Sequence, residues 1–333
     1  MQKLLFVSVL WLFSASAQST VALKLVETIP LPNIDGRIDH FAIDVQGRRA
    51  FLAALAQNAI AVVDLKAGRA TRTLSGFAKP QGVHFAADVN KLFVATGLDG
   101  VLHTLDGTTL AEVRTDYLSL GADAIGYDPR SRYLYVGSGG GDANKDLGDL
   151  TVLNALTGAR VGAIVTDAHA GGSGVDERGR HVYVLVPEKA EVVVLDRKTR
   201  VQLAKWMIPG IQKNVALDLD EKNHRLFLGV RAPASVVVLD STSGEVVASV
   251  PTVSMLDGLS YDQAARRIYT SGGEGFVDVT QQIDADHYER IARVSTGPNA
   301  RTSKFVPEWR RLYVAVPRDQ DRSAELLVFE VVP

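Results

Sequence analysis

The chain has 333 residues, of which 46% are hydrophobic and 22% are charged, proportions that exclude a disordered or collagen-like protein. Its 36 lysines and arginines stand against 38 aspartates and glutamates, so the formal net charge of −2 lacks the basic excess of a duplex nucleic-acid-binding protein. Cysteine is absent, which excludes disulfides, thiolate metal sites, c-type haem attachment and a cysteine nucleophile.

The first 17 residues have the pattern of an export signal. Lys3 precedes an apolar run over residues 4–13, and residues 14–17 end in the small-x-small pattern that signal peptidases accept. This run of ten residues is too short to cross a bilayer. The sequence therefore predicts cleavage near Ala17–Gln18 and release into the periplasm or the medium. It also predicts no membrane span and a single domain over residues 18–333.

A hydrophobic strand with a central aromatic residue recurs seven times along the rest of the chain. The intervals between successive aromatic residues are 42, 42, 48, 44, 42 and 44 residues. These intervals are typical of one four-stranded blade of a β-propeller. The seven positions are Phe51, Phe93, Tyr135, Tyr183, Phe227, Tyr269 and Tyr313.

Turn-forming acids divide each repeat into four strands. An aspartate lies seven residues before the aromatic position in five copies, for example Asp44 and Asp128, where it can begin a tight turn. A second acid ends a β-branched run after the aromatic residue, as at Asp64, Asp196 and Asp240. Each repeat therefore predicts strand A, a turn, strand B with the aromatic residue, a loop, strand C, a second turn and strand D.

The two ends of the chain complement each other. The last copy stops after its strand C, at residues 326–332, whereas residues 23–29 form a strand before the first copy begins. Pairing these segments closes the ring and removes a free sheet edge. We therefore expect an all-β, seven-bladed propeller of four-stranded antiparallel blades, with the N-terminal strand completing the last blade. The aromatic positions are interpreted as packing between blades, and a monomer is expected.

With this pattern the sequence resembles the exported YVTN-type β-propellers, a group that includes the periplasmic YncE-like proteins. The segments that carry the resemblance are Tyr-Val-Gly-Ser at 135–138, Tyr-Val-Leu at 183–185, Tyr-Thr-Ser-Gly at 269–272 and Tyr-Val-Ala at 313–315. Valine-rich strands and Thr-Gly or Ser-Gly turns follow them. The resemblance covers residues 22–333. It implies the propeller fold and a binding or interaction module rather than a defined activity.

Polar residues are expected at one end of the central channel. If strand A lines the channel, the D-to-A and B-to-C loops share one face, where function is expected. Five positions before the first turn, the copies include Asp39, Gln81, Asp123, Asp257 and Arg301. The segments that lead into strand A add Arg37, His40, His169, Lys213 and Asn214.

These residues leave more than one function open. The first is a non-catalytic mouth that binds a small anionic or polyhydroxylated ligand, or a periplasmic protein. The alternative is a metal-dependent hydrolase of the lactonase kind, with a divalent cation held by Asp39, Asp123 and Asp257 and with His40 as base. In a third interpretation the acids and bases pair only with one another and with water. Outside the hydrolase alternative, no cofactor is expected.

An insertion in the third copy has oxygen side chains at alternate positions, Asp142, Asn144 and Asp146, as at the start of a calcium-binding loop. The sixth and twelfth positions of that pattern, which require Gly and Glu, hold Leu147 and Leu153. A surface loop is therefore favoured over a calcium site.

Overall fold

The computed structural model describes residues 22–332, so the predicted export signal lies outside the described residues. These residues form seven four-stranded antiparallel sheets. In chain order the strands are β1 (Leu23–Leu31), β2 (Ile38–Asp44), β3 (Arg49–Ala54), β4 (Ala59–Asp64), β5 (Arg69–Ser75), β6 (Pro80–Ala86), β7 (Lys91–Thr96), β8 (Val101–Asp106), β9 (Glu112–Tyr117), β10 (Ile125–Asp128), β11 (Tyr133–Gly139), β12 (Gly148–Asn154), β13 (Arg160–Thr166), β14 (Ser173–Val175), β15 (His181–Val186), β16 (Glu191–Asp196), β17 (Gln202–Met207), β18 (Gln212–Asp220), β19 (Arg225–Ala232), β20 (Ala234–Asp240), β21 (Val246–Pro251), β22 (Leu256–Asp262), β23 (Arg267–Gly272), β24 (Phe276–Gln282), β25 (Tyr288–Ser295), β26 (Thr302–Val306), β27 (Arg311–Val316) and β28 (Ala324–Val331).

Short 3₁₀ turns interrupt four of the loops, at Leu55–Gln57, Gly140–Ala143, Pro187–Lys189 and Pro307–Trp309. Among the described residues no helix is long and apolar enough to cross a membrane. The strands of the first six blades pair in sequence order, from β2–β5 to β22–β25. The all-β, seven-bladed propeller predicted from the repeat spacing is confirmed.

The N-terminal strand closes the ring as predicted. Strand β1 pairs antiparallel with β28, with Ile29 opposite Leu326, and the last blade has the order β1-β28-β27-β26. Ile29 and Leu31 are fully buried against the neighbouring strands. Closure of the ring therefore rests on main-chain pairing and on apolar burial together.

The hydrophobic core lies between the blades. All seven aromatic residues of the repeat lie on the second strand of a blade and are at most 2% exposed. Each packs within an apolar cluster that two adjacent blades share; Tyr183, for example, packs with Leu226 and Val237 of the next blade. The interpretation of these positions as inter-blade packing is confirmed.

The turns follow the predicted aspartate pattern. The Asp262 Oδ1 atom accepts backbone N–H groups from Ala264 at 2.9 Å and Ala265 at 3.0 Å. At the second turn of blade 4, Asp196 Oδ1 accepts the N–H groups of Lys198 at 3.0 Å and Thr199 at 2.8 Å. Each carboxylate satisfies donors that the reversing backbone cannot pair itself, which is why aspartate begins these turns.

A buried ion pair fastens blade 3 to blade 4 at the turn face. Arg197 Nε donates to Asp128 Oδ2 at 2.8 Å, and the same guanidinium donates to the backbone oxygens of Asp176 at 3.0 Å and Glu177 at 2.6 Å. Burial raises the pKa of Asp128, but the hydrogen bonds from Arg197 and Ser131 outweigh it and lower the pKa. The guanidinium therefore stabilises a carboxylate that is only 1% exposed.

Candidate functional site

The innermost strands of the seven blades surround a central channel with a volume of about 1130 Å³. Residues of β2, β6, β10, β14, β18, β22 and β26 line its wall. Strand A of each blade therefore lines the channel, as expected from the sequence. The end of the channel where these strands begin is called the mouth below.

Irregular pairing marks the mouth. The register between strands A and B shifts between Ile38 and Phe41, between Pro80 and Val83, and between Leu256 and Gly258. A β-bulge of this kind turns side chains away from the regular alternation of a strand. The segments that carry Asp39 and Asp257 are therefore free to aim their side chains toward the mouth.

Seven charged side chains meet at the mouth. They come from blades 1, 3, 5 and 6 and from the loop after blade 3, and we call them the mouth cluster: Arg37, Asp39, His40, Asp123, His169, Arg231 and Asp257.

Two guanidiniums connect the acids of the cluster. Arg37 Nη2 lies 3.0 Å from Asp39 Oδ1 and 3.3 Å from Asp257 Oδ2, which joins blade 1 to blade 6. Arg231 Nη2 lies 2.6 Å from Asp257 Oδ1, and its Nε donates to the Leu256 backbone oxygen at 2.7 Å. Both oxygens of Asp257 are therefore paired with arginine.

Arg231 was missed by the sequence analysis. It lies at the end of β19, in the segment that leads into the B-to-C loop of blade 5. The B-to-C loops are expected on the same face, but the candidate residues come only from the segments that lead into strand A. A basic residue just before Pro233 on that face was the available signal.

Two histidines bridge the remaining acids. His40 Nδ1 lies 3.4 Å from Asp39 Oδ1 and 3.7 Å from Asp123 Oδ1. His169 Nε2 lies 3.6 Å from Asp123 Oδ2, while its Nδ1 is 3.1 Å from the Gly139 backbone oxygen. The mouth therefore carries a chain of alternating acidic and basic groups.

These neighbours change the protonation of both partners. Burial opposes protonation of His40, but the interaction with Asp39 and the charges of Asp123 and Asp257 outweigh it and raise the pKa of His40 to about 9. The imidazole still faces the channel, with 40% of its side-chain surface exposed. Burial also opposes ionisation of Asp123, but His169 and His40 lower the pKa of its carboxyl. His40 is therefore an imidazolium and Asp123 a carboxylate at neutral pH.

The pKa values of Asp257 and His169 are both raised, which disfavours the charged form of Asp257 and favours the charged form of His169. Burial raises the pKa of Asp257 in spite of the opposing charge of Arg231. For His169, burial lowers the pKa, but its contact with Asp123 outweighs burial and the pKa is raised. Both histidines of the cluster are thus stabilised in their charged forms, whereas the carboxylate of Asp257 is not.

Several buried oxygens at the mouth have no hydrogen-bond partner among the described residues. They include Asp39 Oδ2, on a side chain that is only 1% exposed, and Asp123 Oδ1. Gln81 Oε1 and Asn214 Oδ1 are likewise buried without a hydrogen-bond partner among these residues. An unpaired buried acceptor costs about 1–3 kcal/mol, so these atoms favour a ligand that supplies donors.

Four of the sequence-predicted residues do not join the cluster. Gln81 is buried against Gly97, and Asn214 is buried with its Nδ2 donating to the Glu191 backbone oxygen at 2.9 Å. Lys213 is exposed. Arg301 is half-buried and donates to Asn299 Oδ1 at 3.3 Å.

The calcium-like loop lies between β11 and β12. Its first part is the 3₁₀ turn Gly140–Ala143, and Asn144 follows with a φ of 51°. The side chain of Asp142 is outside the described residues. Within the part of the chain that the structure describes, no group of three or more His, Asp or Glu residues is arranged to hold a metal ion. The prediction for Asp142, Asn144 and Asp146 stays a prediction.

Comparison with known proteins adds the fold and nothing finer. No protein family and no curated protein matches the chain. A chain of hydrazine synthase from Kuenenia stuttgartiensis is similar, with a TM-score of 0.73, 14% identity, and coverage of 85% of this chain and 94% of that one. A chain of the mitotic checkpoint complex is similar with a TM-score of 0.78, 12% identity, and coverage of 100% and 99%. At these identities both likenesses show a shared propeller fold alone.

Proposed function

We propose that the chain is an exported, non-catalytic β-propeller of the YVTN type that binds a small polyhydroxylated ligand at its channel mouth. The observation that carries the proposal is the convergence of the mouth cluster around buried acceptors without partners. Export and kinship with YVTN proteins are inferred from the N-terminal pattern and the Tyr-Val strands of the sequence.

The chemistry of the cluster favours hydroxyl groups. Asp39 Oδ2 and Asp123 Oδ1 need donors, whereas the imidazolium of His40 and the guanidinium of Arg37 supply donors of their own. A hydroxyl both donates and accepts, so neighbouring hydroxyls of one ligand can satisfy both kinds of group. An anionic ligand would instead lie against three acids, and a cationic ligand against two arginines and the imidazolium of His40.

The test is a comparison of neutral sugars and polyols with sugar acids by thermal shift. The mature chain, residues 18–333, is compared with an Asp39→Asn, Asp123→Asn double variant and with a Glu289→Gln control on the outer strand β25. We expect a neutral polyol to raise the Tm of the wild type and of the control, and not that of the double variant. Equal shifts in all three proteins, or a shift from sugar acids alone, would contradict the proposal.

The lactonase-type alternative has less support from the geometry. Two guanidiniums occupy Asp257, and a positive charge at that distance repels a cation from the carboxylate. Only Asp39 and Asp123 remain as ligands of the proposed set, and His40, the proposed base, is already protonated at neutral pH. Metal analysis of protein purified without chelator separates the two proposals, because a hydrolase of this kind requires near-stoichiometric metal that the double variant loses.

A protein partner on the loop face is a second candidate with an observation of its own. Leu98, Leu120 and Leu147 are 67%, 45% and 52% exposed in loops of blades 2 and 3 on the face that contains the mouth. The similar chain from the mitotic checkpoint complex belongs to a protein assembly, which supports the fold as a scaffold. Capture of one periplasmic protein by the wild type and the Asp39→Asn variant, but not after all three leucines become serine, would favour this function.

A further inference from the structure

The channel wall carries a second polar level, deeper than the mouth. The residues two positions before the first turn lie three residues along strand A from Asp39, a distance of about 10 Å. We call this level the interior ring; its members, one from each blade, are Ala42, His84, Gly126, Gly174, Asp218, Ser260 and Lys304. Of these, His84, Gly174, Asp218, Ser260 and Lys304 line the channel cavity. At Gly126 and Gly174, the side chains of Ser173 and Leu217 from the next blade fill the space that a side chain would take.

The levels on both sides of the interior ring are mostly apolar. Toward the mouth, the wall is lined by Phe41, Val83, Ile125, Leu217 and Leu259. Toward the turn face, it is lined by Tyr127, Val175, Leu219, Tyr261 and Phe305. A ligand held at the interior ring therefore has apolar side chains on both sides against which a hydrocarbon part can pack.

Lys304 is the cation of the interior ring, and its side chain is solvent-exposed. It points into the channel from strand β26, and among residues 22–332 no carboxylate lies within 4.0 Å of its ammonium group. The acid of the ring, Asp218, uses both of its carboxylate oxygens in other hydrogen bonds. Asp218 Oδ1 accepts the N–H of Leu219 at 2.8 Å and Oδ2 accepts the N–H of Tyr261 at 2.7 Å, which ties blade 5 to blade 6. Burial raises the pKa of Asp218.

The other polar members are neutral donors. Burial, aided by the charge of Lys304, lowers the pKa of His84 to about 3, so this imidazole is uncharged at neutral pH. The centre of its ring lies 5.2 Å from the centre of the Tyr127 ring, which belongs to the apolar level toward the turn face. Ser260 Oγ accepts the Phe305 N–H at 3.4 Å, which leaves its own hydroxyl proton to donate.

We propose that the interior ring binds the acidic head group of a small organic anion. Lys304 supplies the counter-charge, His84 and Ser260 supply hydrogen-bond donors, and the apolar levels hold a short hydrocarbon part. A zwitterionic ligand would also need an acidic partner for its cationic group. Asp218, the acid of the ring, does not offer one, because both of its oxygens already accept backbone N–H groups. This site goes beyond the proposed function, since it lies deeper than the mouth cluster and uses none of its residues.

The test uses butyrate, with butylamine, 1-butanol and inorganic phosphate as matched probes. The lysines of the mature chain are reductively ¹³C-methylated, which keeps their charge, and the Lys304 signal is assigned from its absence in a Lys304→Arg variant. We expect butyrate to shift the Lys304 signal saturably, butylamine and butanol to leave it in place, and phosphate to bind at least tenfold more weakly. A Lys304→Gln variant should lose at least tenfold in butyrate affinity, and a Lys66→Gln control on a surface turn should not.

Three results would overturn the proposal. The first is an unshifted Lys304 signal at saturating butyrate in the wild type, a measurement that does not depend on whether the glutamine variant folds. The second is an equal shift from butylamine, and the third is phosphate binding as tightly as butyrate, which would deny the apolar levels a role. An Asp39→Asn variant should bind butyrate as the wild type does, so failure at the mouth and failure at the interior ring are distinguishable.

Discussion

Replacing Asp39 with asparagine should lower the pKa of His40. Burial favours the neutral imidazole, and the interaction with Asp39 is the largest contribution that opposes it and raises the pKa from 6.5 to about 9. Loss of one close carboxylate shifts a pKa by about 1–3 units, so the variant should bring His40 to about 6–8. The group is exposed to the channel over 40% of its side chain, and solvent screens the pair.

The raised pKa also predicts the pH dependence of stability. A group whose pKa is higher in the folded state stabilises the protein fully below its unfolded value of 6.5 and loses that contribution as the pH rises to about 9. At 1.36 kcal/mol for each unit, and halved or more for screening, the wild type should lose about 1–2 kcal/mol between pH 6.5 and 9.5. The Asp39→Asn variant should lose less over the same range.

Imidazole NMR titration measures the pKa directly, and urea unfolding at pH 6.5 and 9.5 measures the free energy. The Glu289→Gln variant is the control, because this exposed residue lies on the outer strand β25. A His40 resonance that titrates near 6.5 in the wild type would refute the reasoning. So would an unchanged titration in the Asp39→Asn variant.

Three further changes test how the propeller is held together. Arg197→Met leaves the buried Asp128 carboxylate unpaired and should cost about 3–5 kcal/mol in urea unfolding, whereas Arg180→Met, 74% exposed, should cost under about 1 kcal/mol. Ile29→Ala in the closing strand should cost about 2–5 kcal/mol, and a smaller cost would mean that the strand is not clamped. The lowered pKa of His84 predicts stability that is full above pH 6.5 and lost as the pH falls toward 3; a His84→Phe variant that unfolds on the same acid limb would contradict this.

The fold was predictable because its determinants are local and repeated. The Asp turns and the buried aromatic of strand B recur at blade length, and each depends on neighbours within its own repeat or the next. Closure was predictable from the unpaired strands at the two ends, because the N-terminal strand has no partner and the last blade lacks a fourth strand, and pairing the two satisfies both.

The candidate site was predictable only in part. Counting back from the turn gives a residue's height in the channel, and at that height Asp39, Asp123 and Asp257 do meet in one cluster. Counting does not give the direction of the side chain. Bulges at this level re-aim individual residues, so Gln81 turns against the adjacent loop instead. Arg231 was not predicted because it reaches the cluster from β19, a strand B, and not from a segment leading into strand A.

The most direct test of the account is a crystal structure of the mature chain grown with the polyol that gives the largest thermal shift. The account predicts ligand hydroxyls within hydrogen-bonding distance of Asp39 Oδ2 and Asp123 Oδ1, with Arg37 and His40 on the same ligand. A ligand bound outside the mouth, or a mouth cluster unchanged and without ligand at saturating polyol, would contradict it.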